Sequence, residues 1–152
     1  MLDALKRFKH LPPRKKAIIL GKALPEFAEI ENAETEKIEF FNERLNESQR
    51  EAVLRSLSAT DFFLIHGPPG TGKTVTCVEI IAQLVRRGLK VLATAESNIA
   101  VDNIVEGLVK AGVNVVRVGH PARVVPALRE RSLDFLVPVS YTHLTLPTTE
   151  RV

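Results

Sequence analysis

The sequence predicts an α/β fold in which helices flank a parallel β-sheet. Three short apolar segments, at residues 61–66, 90–95 and 113–118, have the length and composition of buried strands. Amphipathic helical patterns over 73–87 and 98–111 separate these segments. Strands that alternate with helices in this way form βαβ units, in which the strands are parallel and the crossovers are right-handed.

Residues 1–43 are predicted to form a helical and linker segment that precedes the main domain. Two consecutive prolines break a first short helix, and Pro25 ends a second helix that is predicted over 14–24. Basic residues concentrate in 1–22, and an acidic stretch follows them. Charge runs of this kind are usually solvated faces.

The main domain, predicted over residues 44–137, begins with a capped helix. Asn46, followed three residues later by Gln49, has the spacing of a capping box and predicts a helix that runs through Leu57. Val53 and Leu57 belong to the predicted buried stripe of this helix. The helix leads directly into the first predicted strand.

Composition bounds the class of protein. The chain has 152 residues, of which 45% are hydrophobic and 26% charged, which is typical of one globular domain. The single cysteine, Cys77, excludes an internal disulfide and a cysteine-based metal site. No apolar run of about 18 residues is present, so we expect no membrane partner. A reducing, cytoplasmic location and a monomeric state are the simplest expectations.

A phosphate-binding loop follows the first predicted strand. Residues Gly67–Thr74 read GPPGTGKT and match the P-loop (Walker A) pattern G-x-x-x-x-G-K-[ST] without a mismatch. The pattern predicts ATP with Mg²⁺ as the ligand, because the glycines let backbone N–H groups surround a phosphate. Lys73 would reach the β- and γ-phosphates and act in catalysis by stabilising charge on the transferring phosphoryl group, and Thr74 would bind Mg²⁺. The predicted loop residues that bind nucleotide are Gly67, Pro68, Pro69, Gly70, Thr71, Gly72, Lys73 and Thr74.

Four segments in one order carry a resemblance to a known family. They are LNESQREAV (45–53), HGPPGTGKT (66–74), ATAESNIAVDNI (93–104) and VVRVGHPAR (115–123). Together they resemble the start of the first RecA-like domain of a superfamily 1B helicase, in the group of the nonsense-mediated-decay helicase and the immunoglobulin-mu-binding helicase. The resemblance covers about residues 40–137 and implies a partial, truncated RecA-like P-loop NTPase fold.

The resemblance implies roles for residues outside the loop. It makes Gln49 the reader of adenine, and a side-chain amide suits adenine N6 and N7 because it has one donor and one acceptor group. It assigns Ser97, Asn98 and Asn103 to single-stranded DNA or RNA, since a helix N-terminus can seat a phosphate. The alternatives are that Gln49 completes the capping box and that Ser97 or Asn98 caps a helix. Asp102 is predicted to be a surface or cap-supporting residue.

The resemblance implies that the intact parent is an ATP-dependent helicase, an ATP hydrolase that couples hydrolysis to translocation on nucleic acid or to its unwinding. A motor of this kind needs a second acidic motif to hold Mg²⁺ and orient water, and Asp134 has no adjacent glutamate. We therefore expect the isolated fragment to be inactive. Another P-loop ATPase of the AAA+ type and a non-catalytic nucleotide-binding module are the alternative functions.

The last segment, residues 138–152, departs from the α/β pattern. Its sequence, PVSYTHLTLPTTERV, is rich in threonine and has neither a helical stripe nor a convincing strand. It looks like translated sequencing-adapter read-through, which predicts a non-native tail. A divergent loop is the alternative. The turn GHPAR (119–123) before it has no predicted chemical role.

Overall fold

The computed structural model describes residues 6–28 and 38–137. The chain divides into two compact units, Met1–Leu92 and Ala93–Val152. The predicted tail, 138–152, lies outside the described residues. The domain boundaries that the sequence predicts therefore stay predictions.

Helix α1 of the first unit spans Pro13–Ile19 and starts with a proline at its first position. A proline is favourable there because the first N–H groups of a helix have no intrahelical partner. The helix ends earlier than the predicted span of 14–24, with Leu20 as its C-cap. Gly21 follows with a φ of 68°, a left-handed conformation that ends a helix at little cost for glycine.

Helices α2 and α3 confirm their predictions. Helix α2 spans Glu47–Ser58 and begins with the predicted capping box, in which the Asn46 side chain accepts from the backbone N–H of Gln49 and the Gln49 side chain accepts from that of Asn46. Helix α3 spans Lys73–Arg86 and packs against α2. Each helix supplies one side of the groove above the phosphate-binding loop.

The buried face of α3 is largely polar, although the sequence pattern pointed to its apolar residues. Its buried residues are Thr76, Glu79, Ala82 and Gln83. Glu79 is 2% exposed, and its carboxylate accepts from the backbone N–H groups of Phe41 and Asn42, each at 3.0 Å. The side-chain amide of Gln83 also donates to Glu79, at 2.9 Å. These bonds hold the segment before α2 against α3.

The N-terminal segment is attached at the start of the first predicted strand. Arg14 of α1 forms ion pairs with Asp61 at 3.0 Å and with Glu26 at 2.9 Å. The Arg14 guanidinium lowers the pKa of the Asp61 carboxyl from its ordinary value. Phe27 forms an isolated antiparallel bridge with Ala59. Residues 26–28 thus belong to the first unit together with α2.

The second unit is built on helix α4, Asn98–Lys110, which confirms the helix predicted over 98–111. Two 3₁₀-helices, Pro121–Arg123 and Pro126–Arg131, and helix α5, Leu133–Leu136, follow it. The small apolar core of the unit contains Val105, Val124 and Leu128. Arg117 forms an isolated parallel bridge with Ser132, which joins the segment after α4 to the start of α5.

The predicted sheet is not confirmed. Within residues 6–28 and 38–137, backbone pairing outside helices and turns is limited to the two isolated bridges, and the segments 61–66, 90–95 and 113–118 form no ladder. Some of their apolar side chains are open, with Leu64 81% and Leu92 87% exposed, while others such as Phe63 are half-buried. A strand of a parallel sheet is buried only when helices cover both of its faces. The sheet therefore stays a prediction.

Candidate nucleotide and nucleic-acid sites

The phosphate-binding loop has a left-handed backbone at two of its glycines. Gly70 and Gly72 have φ values of 83° and 79°, which other residues rarely adopt. The hydroxyl of Thr71 donates to the carbonyl of Pro68 at 2.8 Å and closes the loop on itself. Gly72 is also the N-cap of α3, so the loop ends where the helix presents its free N–H groups.

Lys73 points back into this loop. Its ammonium group donates to the carbonyls of Gly67 at 2.5 Å and of Pro68 at 2.7 Å. An ammonium group has three donors, so one donor is left for a further acceptor. The positive charge is thereby fixed beside the N-terminus of α3, where the helix dipole also favours an anion.

Gln49 lies against the same loop. Its side-chain nitrogen donates to the carbonyl of Thr71 at 3.1 Å, and its side-chain oxygen accepts from the N–H of Asn46 at 3.0 Å. Each group keeps further capacity, because an amide has two N–H donors and two lone pairs on oxygen. A Cβ at Gly72 would lie 2.5 Å from the Gln49 nitrogen, and the left-handed φ of Gly72 independently favours glycine there.

A cavity of about 260 Å³ connects these residues. Its lining residues are Ser48, Gln49, Ala52, Ile65, His66, Gly67, Pro68, Thr71, Lys73 and Thr76. The positive group of Lys73 and the amide of Gln49 both line it, which fits a ligand with an anionic part and a polar part. Thr74 is exposed on the first turn of α3 and is not among the residues that line this cavity. In the described part of the chain, no group of three or more histidine, cysteine or acidic side chains could hold a metal ion by itself.

The structure brings together only two of the three residues predicted to contact nucleic acid. Ser97 is the N-cap of α4 and accepts from the N–H of Ala100 at 3.2 Å, and Asn98 is the first residue of the helix. Both are exposed. Asn103 is also exposed, but five residues along a helix place it about 140° around the axis and about 7.5 Å further along it. It therefore does not share a face with Asn98.

Sequence reasoning missed a buried ion pair in the second unit, and the prediction that Asp102 is a surface or cap-supporting residue is wrong. Asp102 is 5% exposed, and its carboxylate accepts from Arg117 Nε at 2.7 Å. Arg117 is 4% exposed and also donates to Asn98. One signal was available, because Asp102 lies three residues before the core residue Val105 and thus on the buried side of the helix.

None of the helices described here is long and apolar enough to span a membrane. The comparison with protein families gives a match over residues 44–147 to the family AAA_11, described as an AAA domain. The matched range contains the phosphate-binding loop, Gln49 and the proposed nucleic-acid residues of α4.

Relatives that match the chain carry helicase or DNA-binding names. The DNA polymerase alpha-associated DNA helicase A of Schizosaccharomyces pombe is 54% identical over 99 residues, which are 65% of this chain and 15% of that protein. The uncharacterized ATP-dependent helicase MJ0104 of Methanocaldococcus jannaschii is 47% identical over 140 residues, 90% of this chain and 21% of that protein. The DNA-binding protein SMUBP-2 of Rattus norvegicus is 48% identical over 117 residues, 77% of this chain and 11% of that protein.

The chain thus spans between 11% and 21% of the length of these three relatives. The family match implies a P-loop RecA-like fold for the matched residues. The family match and these names confirm the resemblance on which the sequence prediction rested. The chain belongs to the AAA_11 family within the superfamily 1 helicases, and it holds the N-terminal, ATP-binding part of the helicase domain.

Proposed function

We propose that the chain binds ATP and Mg²⁺ at Gly67–Thr74, with Gln49 beside the adenine, as the nucleotide site of a nucleic-acid motor. The observation that carries this proposal is the convergence of Lys73, the loop and Gln49 on one cavity. The two loop carbonyls that hold the Lys73 ammonium leave one N–H donor for a phosphate oxygen. The lysine therefore needs little rearrangement to act.

Each residue has a separate task in this proposal. The N–H groups at the start of α3 and the Lys73 ammonium bind the phosphates, and the hydroxyl of Thr74 ligates the cation. The remaining N–H donor and lone pair of Gln49 contact adenine while its other groups keep the capping box and the bond to Thr71. When bound, Mg²⁺ would neutralise charge on the phosphates.

In the whole protein, we propose that ATP hydrolysis drives movement along single-stranded DNA or RNA. Ser97 and Asn98 would contact a phosphate of the strand at the N-terminus of α4, and Asn103 would make a separate contact. The names of the relatives, which include a DNA helicase and a DNA-binding protein, support a nucleic-acid partner. The free, half-buried thiol of Cys77 fits a reducing compartment such as the cytoplasm.

Binding assays test both halves of this proposal. A fluorescent ATP analogue with Mg²⁺ should bind the chain, and Gln49→Ala should weaken the binding of adenine more than that of guanine or pyrimidine nucleotides. Glu51→Ala, at an exposed position of the same helix, is the control and should leave base selectivity unchanged. Equal selectivity of the wild type and Gln49→Ala among the bases would contradict the role of Gln49.

In the whole protein, single-stranded oligonucleotide should stimulate ATP hydrolysis, and the absence of stimulation would favour a nucleotide-binding module without motor activity.

A further inference from the structure

The guanidinium of Arg117 distributes its donors among three different acceptors in the second unit. Nε donates to the carboxylate of Asp102 at 2.7 Å, and Nη2 donates to the side-chain oxygen of Asn98 at 3.1 Å. Nη1 donates to the carbonyl of Val118. Arg117 is 4% exposed, and its contact with Asp102 is buried, whereas its contact with the exposed Asn98 is only partly buried. A buried guanidinium is therefore in direct contact with Asn98, one of the three residues proposed to contact nucleic acid.

The position of Arg117 is fixed from several sides. The second carboxylate oxygen of Asp102 accepts from the backbone N–H of Val125 at 3.3 Å, which holds the acid in place. The backbone N–H of Arg117 donates to Arg131 at 2.7 Å, and its carbonyl accepts from Leu133 at 2.9 Å. The backbone of Arg117 is thus fixed by two hydrogen bonds, and its guanidinium is fixed by the buried carboxylate of Asp102. The guanidinium therefore has little freedom to move away from Asn98.

A close approach at Gly119 adds a further constraint. The φ of Gly119 is 151°, and a Cβ built there would lie 2.7 Å from Arg117 Nη1. A side chain at this position would overlap the guanidinium in its present place, and glycine avoids the overlap. Two residues of the segment VVRVGHPAR, Val118 and Gly119, thus lie directly beside the head group of Arg117.

The contact fixes which way the amide of Asn98 faces. A guanidinium only donates hydrogen bonds, so Asn98 must present its oxygen to Arg117. The amide nitrogen, with its two N–H donors, is then directed away from Arg117, and within the described residues it donates no hydrogen bond. Phosphate oxygens only accept hydrogen bonds, so an outward pair of N–H donors is the orientation that a nucleic-acid backbone needs.

We infer that Arg117 is a positioning residue that holds the Asn98 amide with its N–H donors toward a phosphodiester group of single-stranded nucleic acid. The inference rests on the proposed function of Asn98. Asp102 supports it by keeping the guanidinium in place. Because the base edges take no part in this contact, it contributes to affinity without reading sequence.

A double-mutant cycle tests the inference with fluorescein-labelled oligothymidylate and fluorescence anisotropy. Arg117→Lys keeps a positive charge beside Asp102 but has a single nitrogen, so it cannot reach both acceptors with the same geometry. We expect it to weaken binding about 3- to 10-fold in the wild-type background. In the Asn98→Ala background the same substitution should have no further effect, because its target is absent. Arg129→Lys, an exposed arginine of the same unit, is the matched control and should leave binding unchanged.

The possible outcomes separate the inference from the function on which it rests. If Arg117→Lys weakens binding by the same factor in both backgrounds, Arg117 acts through general structure and the inference is overturned, while the function of Asn98 stands. If Asn98→Ala binds the oligonucleotide as tightly as the wild type, the proposed function of Asn98 fails and the inference fails with it. Thermal unfolding of each variant shows whether a loss of binding follows from a loss of folded protein.

If Arg117→Lys does not fold, a measurement on the wild-type chain tests whether Arg117 positions Asn98. In ¹⁵N-labelled protein, the side-chain amide signals of Asn98 should shift on addition of the oligonucleotide, while the Nε signal of Arg117 keeps its position. Asn98 signals that do not respond, or an Arg117 signal that shifts as strongly as they do, would overturn the inference.

Discussion

Replacing Lys73 with alanine should weaken ATP binding far more than it destabilises the fold. The ammonium group donates to two loop carbonyls and keeps one donor for a phosphate. A hydrogen bond between charged partners contributes about 1.5–3 kcal/mol, so the affinity for ATP should fall about 10- to 150-fold. The loss of stability should be small, because the Pro68 carbonyl is exposed and the Gly67 carbonyl only partly buried, so water can replace the ammonium at both.

Isothermal titration of the chain with Mg²⁺ and a non-hydrolysable ATP analogue measures this effect. Lys110→Ala is the matched control, since it removes an equally charged side chain that is exposed on α4 and forms an ion pair with Glu106. Thermal unfolding without nucleotide should give similar midpoints for both variants and the wild type. Equal ATP affinity in the wild type and Lys73→Ala would refute the assignment of the loop as the nucleotide site.

Four further outcomes are expected. Glu79→Ala should lower the free energy of unfolding by about 1.5–3 kcal/mol, because two partly buried backbone donors and the buried Gln83 amide lose a charged acceptor. The exposed Glu106→Ala should change it little, and chemical denaturation measures both. The pKa of Asp61 is lowered in the folded chain, so its pairing with Arg14 stabilises the fold above the unfolded pKa of about 3.9. This stabilisation is lost as pH falls through the folded pKa, so the stability difference between wild type and Asp61→Asn should shrink below about pH 4. A constant difference would argue against the pairing. The isolated chain should not hydrolyse ATP above the buffer rate, because a motor of this kind needs a second acidic motif and Asp134 has no adjacent glutamate. A nucleic-acid-stimulated rate would disprove this. If residues 138–152 are a non-native tail, their amides should exchange rapidly with deuterium, and strong protection there would show a real structural element.

Local chemistry predicted several features correctly. The capping box of α2, the helix after the phosphate-binding loop and the helix at Asn98 follow from short-range spacing, and the structure contains all three. Such features depend on residues three or four apart, so one sequence suffices to predict them. The loop pattern also specifies Gly67 and Gly72, and Gly72 adopts a left-handed backbone, as does Gly70 between them.

Local sequence patterns could not establish the strand pairing of the sheet or predict the burial of polar residues on α3. A strand is defined by the neighbour to which its backbone bonds, and the segment 61–66 has no such neighbour in the described chain. The polar face of α3 was missed for a related reason. Glu79 is buried because two backbone N–H groups about 38 residues earlier meet its carboxylate.

The sequence by itself determined the family and the helix boundaries near the loop, and it predicted the ligand class. Only the tertiary structure decided that Gln49 touches the loop at Thr71 and that Asp102 is buried against Arg117. A prediction from hydrophobic periodicity uses only the polarity of each residue, so it places an acidic residue on the surface. A charged group is nevertheless buried when a distant partner satisfies it, and that partner is brought close only by the folded chain.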